Sequence, residues 1–308
     1  MNDLARILIF SALSCLLYCL LFGRRTSYRS RRVYLLSTAV AAALIPAVDI
    51  RIGNTVLYAL TGWMADPVGA GRGIVIMYLT GVLLSASMYG YRLAVLIRDI
   101  RRNTVARYVR DGRTVVETAL PCSFSLLDKV YISENLSGTG KDMVISHETS
   151  HLRHWHTWEK LLMQVLKTVM WFNPFVHLAA VKLDEVHEYE ADRDVLRAGF
   201  GRKIYAETIL GNVMSAQSGK DGYLKGLPYC PSAFHRTLTG ERLKQMLRPV
   251  GNRKNIAAFL LALLCFAFTA VEFTWEERKT SPPKVDFAEL RCMQDSSARN
   301  GAAMLMLR

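Results

Sequence analysis

The segment His147-Glu148-Thr149-Ser150-His151 holds the residue types and the spacing best suited to chemistry. On a helix, histidines four residues apart lie on one face, one turn apart, and both imidazoles can bind a single Zn²⁺. The glutamate between them can act as general base toward a water molecule that the metal acidifies. The motif therefore predicts hydrolysis of a peptide bond with Glu148 as the base. Five residues can also match by chance, on a charged surface helix.

A second predicted helical segment supplies a third ligand. Glu188 and Asp192 are four residues apart, so they lie on one helix face. We expect Glu188 to bind the metal and Asp192 to reach and orient a histidine ligand. Two histidines and one glutamate leave the fourth zinc position open, as a catalytic site requires.

The apolar stretch 161–183 lies between these two segments and must let them meet. If it crossed a bilayer, His151 and Glu188 would lie on opposite sides and could not share a metal. Lys167 and the break at Asn173-Pro174 favour two shorter helices that fold back on each other. We predict a helical hairpin at the membrane face and leave open whether it enters the membrane.

The composition is that of a membrane protein. Hydrophobic residues make up 51% of the 308 residues, and the mean hydropathy is +0.15. Long apolar runs occur at 4–22, 33–50, 73–91 and 256–271. Because their lengths suit the hydrocarbon core of a bilayer, we predict four transmembrane helices. The first run could be a signal peptide, but its basic residues follow it rather than precede it.

The formal net charge of +13 has the distribution of a membrane protein rather than a nucleic-acid-binding one. Arginines crowd the stretches after the first and third runs and before the fourth, whereas 51–72 holds only Arg51 and Arg72. This asymmetry follows the positive-inside rule. It predicts a multi-pass protein with both termini extracytoplasmic and a cytoplasmic active site, and no direct nucleic-acid binding.

The predicted fold class is mainly α, with a cytoplasmic α+β domain that opens with strands near 114–120 and 129–132. The predicted domains are three transmembrane helices with connecting loops (1–97), a cytoplasmic zinc domain (98–254), a fourth transmembrane helix (255–275) and a short extracytoplasmic tail (276–308). The composition of the tail predicts disorder. The six cysteines contain no C-x-x-C pair, so their spacing supports neither a disulfide framework nor a thiolate zinc site.

Residues 115–250 resemble the membrane zinc metallopeptidases of the penicillinase-antirepressor (BlaR/MecR-type) sensor-transducer family. The segments that carry the resemblance are Pro121-Cys122-Ser123-Phe124-Ser125 with Val130-Tyr131-Ile132, His147 to His151 continuing as Leu152-Arg153-His154-Trp155-His156, Trp171-Phe172-Asn173-Pro174-Phe175, Glu188 to Asp192, and Arg242-Leu243-Lys244-Gln245-Met246-Leu247. The resemblance implies a gluzincin-like domain, Zn²⁺, a bacterial inner or plasma membrane, and cleavage of a transcriptional repressor or of the chain itself.

The sequence departs from that family in two places. Its antibiotic-sensing members carry a large extracellular penicillin-binding domain, which we do not expect here, and Ser281-Pro282-Pro283-Lys284 is interpreted as a coincidental S-x-x-K match. Glu159 stands where the family more often has Asp, and its role is open.

Three functions compete. The leading hypothesis is signal transduction through proteolysis, with a winged-helix repressor as a protein partner besides the lipid bilayer; a homodimer is left open. The first alternative is a quality-control protease for membrane proteins. The second is a non-catalytic membrane receptor with a structural zinc site, which would have no need of Glu148.

Overall fold

The computed structural model describes residues 3–22, 26–52, 70–218, 236–247 and 255–280. The chain divides into two compact units, Met1–Ala270 and Val271–Arg308. In chain order the elements are α1 (Asp3–Leu21), α2 (Tyr28–Ile52), α3 (Ala70–Asn103), β1 (Thr104–Arg110), β2 (Arg113–Thr118), β3 (Phe124–Leu126), β4 (Lys129–Ser133), α4 (Gly138–Arg153), α5 (His156–Val169), α6 (Pro174–Arg197), α7 (Arg202–Ser218), α8 (Arg236–Met246) and α9 (Ile256–Thr280). The predicted class, mainly helical with a small sheet, is confirmed.

Two helices among the described residues are long and apolar enough to cross a membrane, Leu4–Leu21 and Val75–Asn103. Two of the four predicted spans thus meet the requirement of length and composition. The predicted spans at 33–50 and 256–271 fall in α2 and α9, where the apolar helix Ile256–Ala267 is shorter than a span. Four spans therefore stay a prediction. The tail beyond Thr280, with its predicted disorder, lies outside the described residues.

A four-stranded mixed sheet has the order β1-β2-β4-β3. Strands β1 and β2 are antiparallel and joined by Asp111-Gly112, which both have positive φ (50° and 71°), as a tight hairpin turn requires. Strand β2 pairs in parallel with β4, which pairs antiparallel with β3, so β3 forms one edge. The two predicted strands correspond to β2 and β4.

Helices α5 and α6 form the predicted hairpin over 161–183. Asn173, which caps α6, is fully buried; its side chain accepts a hydrogen bond from the Phe175 N–H (3.0 Å) and donates one to Ser11 Oγ of α1 (2.9 Å). The Tyr78 hydroxyl of α3 donates to the Val169 carbonyl at 3.0 Å. The turn between the two helices is therefore tied to both helices that could cross a membrane.

The largest apolar core joins this hairpin to the other long helices. Its buried members include Phe10 of α1, Tyr34 and Leu35 of α2, Met163 of α5, Leu183 of α6 and Ala258 of α9. A separate core packs Ile145 and Leu152 of α4 against Val115, Val130 and Ile132 of the sheet. Helix α4 thus lies between the sheet and the helical hairpin, and this position fixes the residues described next.

One expectation about cysteines is wrong. Cys122 is disulfide-bonded, although the spacing of the cysteines indicated no bridge. Cys15, Cys19 and Cys265 are free.

Candidate metal centre

Helix α4 holds His147, Glu148 and His151 at one buried place. Ile145 packs into the sheet-side core, and Met143 packs against residues of α6 and α7 in another core. Apolar contacts on both sides fix the rotation of the helix. The intervening turn therefore presents its three polar side chains toward α6.

Helix α6 completes a triad of metal-binding groups by placing Glu188 opposite the two histidines. Donor atoms of His147, His151 and Glu188 all lie within 4.8 Å of one another. The two Nε2 atoms are 3.2 Å apart, and the Glu188 oxygens lie 3.4 Å from His147 Nε2 and 3.5 Å from His151 Nε2. Ligands about 2.1 Å from a tetrahedral zinc ion would be roughly 3.4 Å apart. Donor types and spacing therefore fit zinc.

Asp192 and Tyr205 hold the outer nitrogen of His147. The Tyr205 hydroxyl donates to Asp192 Oδ1 (2.8 Å) and lies 2.8 Å from His147 Nδ1. Since that hydroxyl has a single proton to give, its oxygen accepts from the Nδ1–H. This arrangement assigns the imidazole proton to Nδ1 and leaves the Nε2 lone pair free for a metal.

Arg242 of α8 neutralises the acidic side of the site. Its guanidinium donates to both oxygens of Asp192 at 2.9 and 2.6 Å and lies 3.0 Å from Glu188 Oε2. We call His147, Glu148, His151, Glu188, Asp192, Tyr205 and Arg242 the metal cluster. Its groups come from four helices, α4, α6, α7 and α8.

Burial and neighbouring charges move the pKa values of the metal-binding groups in different directions. Burial alone would lower the pKa of His147, but hydrogen bonds to Asp192 and Glu188 outweigh it and raise this pKa to about 9. Burial lowers the pKa of His151 well below its usual value. Although burial opposes it, the charge of Arg242 keeps the pKa of Glu188 well below its usual value. The site therefore favours a positive charge at the point where the three donors meet.

Glu148 lies beside this triad but outside it. Burial raises the pKa of its carboxyl group, against smaller opposing effects of His147 and of Ser125 on the edge strand β3. A carboxylate with a raised pKa is a better proton acceptor near neutral pH. Glu148 therefore has the environment of a general base rather than that of a structural ligand.

A second cluster of buried polar side chains, centred on Arg32, lies next to the metal cluster. Arg32 at the start of α2 donates to Glu159 at 2.9 Å through Nε, to Glu190 at 2.6 Å through Nη1, and to the His154 carbonyl at 2.7 Å through Nη2. Glu159 also contacts His187 Nε2 at 2.7 Å. We call Arg32, His156, Glu159, His187 and Glu190 the Arg32 cluster.

His156 connects the two clusters. Its Nδ1 lies 2.8 Å from His151 Nδ1, and its Nε2 lies 3.4 Å from Glu190 Oε2. The His156 and His187 rings stack with centroids 4.0 Å apart. Burial lowers the pKa of His156 to about 3, so the ring is neutral at physiological pH.

The structure thus brings together His147, His151 and Glu188, with Glu148 and Asp192 adjacent. His187, next to Glu188 in sequence, points to the other side of α6 and contacts Glu159. Sequence reasoning assigned no role to Tyr205, Arg32 or Arg242. Of these, only Arg242 lay in a segment that carried the family resemblance.

The family model described as BlaR1 peptidase M56 matches residues 115–227, a range that covers most of β2, all of β3 and β4, and the whole α4–α6 region. A comparison with curated proteins found no match.

Proposed function

Residues 115–227 belong to the M56 peptidase family, and we propose that the protein is a membrane zinc endopeptidase that holds its metal through His147, His151 and Glu188. The observation that carries the proposal is the donor spacing of 3.2 to 3.5 Å among these three side chains. Zinc bound there supplies a Lewis acid that acidifies water and polarises a peptide carbonyl.

The protein's own groups account for the proton transfers. Glu148, with its raised pKa, takes a proton from the attacking water and delivers it to the leaving amine. Asp192 and Tyr205 hold the imidazole of His147 in the tautomer that presents Nε2. Burial keeps His151 neutral and able to bind the metal.

Strand β3 offers a place for the substrate chain. It forms one edge of the sheet, and its residue Ser125 lies close enough to Glu148 to influence the pKa of that carboxyl group. An extended peptide can add to such an edge through main-chain hydrogen bonds. A substrate bound there would run past the general base, which supports a polypeptide substrate.

We further propose that the active site is cytoplasmic and that the substrate is a transcriptional repressor or the chain itself. The distribution of basic residues supports the orientation, and the family supports the kind of substrate. A structural zinc site is disfavoured because it gives no reason for a buried Glu148 beside the metal ligands.

The test uses the full chain in detergent, with zinc content measured by mass spectrometry and cleavage measured on a peptide library and on the chain itself. Glu148→Gln should keep its zinc and lose activity by at least roughly 100-fold, the usual contribution of a general base. Glu134→Gln is the matched control, since Glu134 is exposed. Full activity in Glu148→Gln would refute the assignment.

The same Glu148→Gln protein separates the two proteolytic roles. Because it should bind substrate without cleaving it, cross-linking in cells would recover the bound proteins. A single cytoplasmic partner supports repressor cleavage. Many unrelated membrane proteins would support quality control instead.

A further inference from the structure

A cavity of about 280 Å³ lies beside the metal cluster, between the first turn of α2 and helices α6 and α8. Neither His147 nor His151 lines it. Four guanidinium groups do, those of Arg193, Arg197, Arg202 and Arg242, against the single carboxylate of Asp192. We call this cavity the arginine pocket.

The four arginines differ in how many ion pairs and hydrogen bonds they form with the rest of the described chain. Arg242 is committed to Asp192 and Glu188. Arg193 pairs with Glu190 at 3.1 Å, yet its buried Nε has no hydrogen-bond partner. The side chains of Arg197 and Arg202, both exposed, make no ion pair or hydrogen bond with any other described residue. The pocket therefore keeps positive charge and hydrogen-bond donors that no group of the described chain satisfies.

The walls of the pocket suit a ligand with both a charged and an apolar part. The rings of Tyr28 and Tyr189 lie 6.3 Å apart, and the Arg193 guanidinium stacks over Tyr28 at 5.0 Å from its centroid. Leu196 and Met246 add apolar surface. The volume is close to the lower end of ligand pockets, about 300 Å³, so the occupant is the size of a headgroup.

The position of Tyr28 indicates that the arginine pocket lies near the predicted membrane surface. Tyr28 begins α2, shortly before the predicted span at 33–50. Tyrosine is enriched where a span meets the headgroups, and basic pockets on the cytoplasmic side attract anionic headgroups. Planar guanidinium groups bind phosphate oxygens through paired hydrogen bonds.

We propose that the arginine pocket binds a phosphate-bearing anion through Arg197, Arg202 and Arg193. The phosphate can come from an anionic lipid headgroup or from a soluble organic phosphate. This site goes beyond the proposed peptidase function and does not depend on it, because binding is measured without turnover.

The experiment measures binding by calorimetry to the full chain in a neutral detergent. The probes are dioctanoyl phosphatidylglycerol, glycerol 3-phosphate and, as the zwitterionic comparison, dioctanoyl phosphatidylcholine. Arg197→Gln/Arg202→Gln should weaken binding of the anionic probes at least tenfold. The matched control Arg113→Gln/Arg153→Gln removes the same charge from exposed residues outside the pocket and should change binding less than twofold.

The outcomes separate the sources of the ligand. Binding of phosphatidylglycerol alone supports a membrane lipid, and binding of glycerol 3-phosphate as well supports recognition of the headgroup phosphate by itself. Equal binding of phosphatidylcholine would overturn the proposal. It would also be overturned if neither anionic probe bound, or if the control pair lost as much affinity as the pocket pair.

Discussion

The metal cluster and the Arg32 cluster are neighbours on opposite sides of α6, but their charges balance differently. In the metal cluster three carboxylates, those of the buried Glu148 and Asp192 and of the partly buried Glu188, lie together with one guanidinium, that of Arg242. Among the described lysines and arginines only Arg242 forms an ion pair with these carboxylates, and the nearby Lys160 pairs with Asp184 instead. The raised pKa of His147 is the response of the metal-free site, which recruits a proton.

The Arg32 cluster has its cations built in. The carboxylates of Glu159 and Glu190 both face the guanidinium group of Arg32, and Glu190 also pairs with Arg193 next to the cluster. Here burial lowers the pKa values of the histidines, and His156 stays neutral.

The difference shows how one helix, α6, can support a structural ion-pair cluster on one side and a metal-binding site on the other. A buried carboxylate needs a partner, and its cost is lowest when that partner belongs to the chain. Where the partner is missing, the cluster gains by binding a cation from solution. The deficit of positive charge thus marks the functional side of α6, and the following changes test that distinction.

The largest expected effect comes from removing the built-in cation. Arg32→Gln should destabilise the protein by about 3–5 kcal/mol, because Glu159 and Glu190 would stay buried without their partner. Unfolding in detergent by guanidinium chloride measures this. Arg98→Gln, at an exposed site, should change stability by less than about 0.5 kcal/mol. Equal stability of the two variants would refute the view that Arg32 neutralises the buried carboxylates of its cluster.

Supplying the missing cation should have the next largest effect. Zinc at a hundredfold excess over its Kd should stabilise the chelator-treated protein by about 2.7 kcal/mol. The readout is the shift of the thermal unfolding curve. Glu188→Gln should lose most of that shift, whereas Glu185→Gln on the same helix should keep it. A shift of the same size in Glu188→Gln would place the metal elsewhere.

A smaller effect is expected where the hydrogen bonds around His147 are cut. Tyr205→Phe removes the hydroxyl that accepts from His147 Nδ1 and donates to Asp192. Loss of such an orienting contact typically costs 10- to 100-fold in metal affinity. Competition with a zinc-sensitive dye measures the Kd. The exposed Tyr91→Phe serves as control, and unchanged affinity in Tyr205→Phe would contradict the assigned tautomer.

Per pH unit, the smallest expected changes in stability are two slopes of opposite sign in the metal-free protein, each at most about 1.4 kcal/mol. The pKa of His147 rises from 6.5 to about 9 on folding, so its contribution is complete below pH 6.5 and is lost between 6.5 and about 9. The pKa of His156 falls to about 3, so stability is lost as pH drops below 6.5.

Thermal unfolding with a chelator across this range checks both slopes. His147→Gln should flatten the alkaline loss, and His156→Gln should flatten the acidic loss. His177→Gln, at an exposed position, should leave both unchanged. A wild-type protein equally stable from pH 5 to pH 9, with both variants unchanged, would refute the two assigned environments.

The metal-binding triad could be predicted because its signals are local. His147 and His151 share a helix turn, and Glu188 follows on a segment whose fold-back was marked by Asn173-Pro174. The spacing of side chains along a helix carries such information directly. Strands β2 and β4 were predicted for the same reason, from short runs of β-branched residues.

The supporting groups could not be predicted, because each comes from a distant part of the chain. Arg32 looked like one more basic residue flanking a membrane span, and only the packing of α2 against α5 and α6 buries it. Tyr205 lies on a helix without a recognisable motif, and the segment that holds Arg242 carried a resemblance but no indication of a partner in the site. Strand β1 was missed because the arginines in Thr104–Arg110 looked like part of the basic flank after the third apolar run.

The hydrogen bond between Asn173 and Ser11 also indicates how deep the hairpin turn lies relative to a bilayer. Ser11 lies near the middle of the apolar stretch Leu4–Leu21. If α1 crosses the bilayer, the hairpin turn reaches about 15 Å below its surface, half the hydrocarbon thickness. Glu188 is fifteen residues further along the chain, or about 22 Å of helix if α6 runs along the membrane normal. His147, His151 and Glu188 would then lie within one or two helical turns of the lipid headgroups, so a molecule that reaches them must do so at the membrane surface.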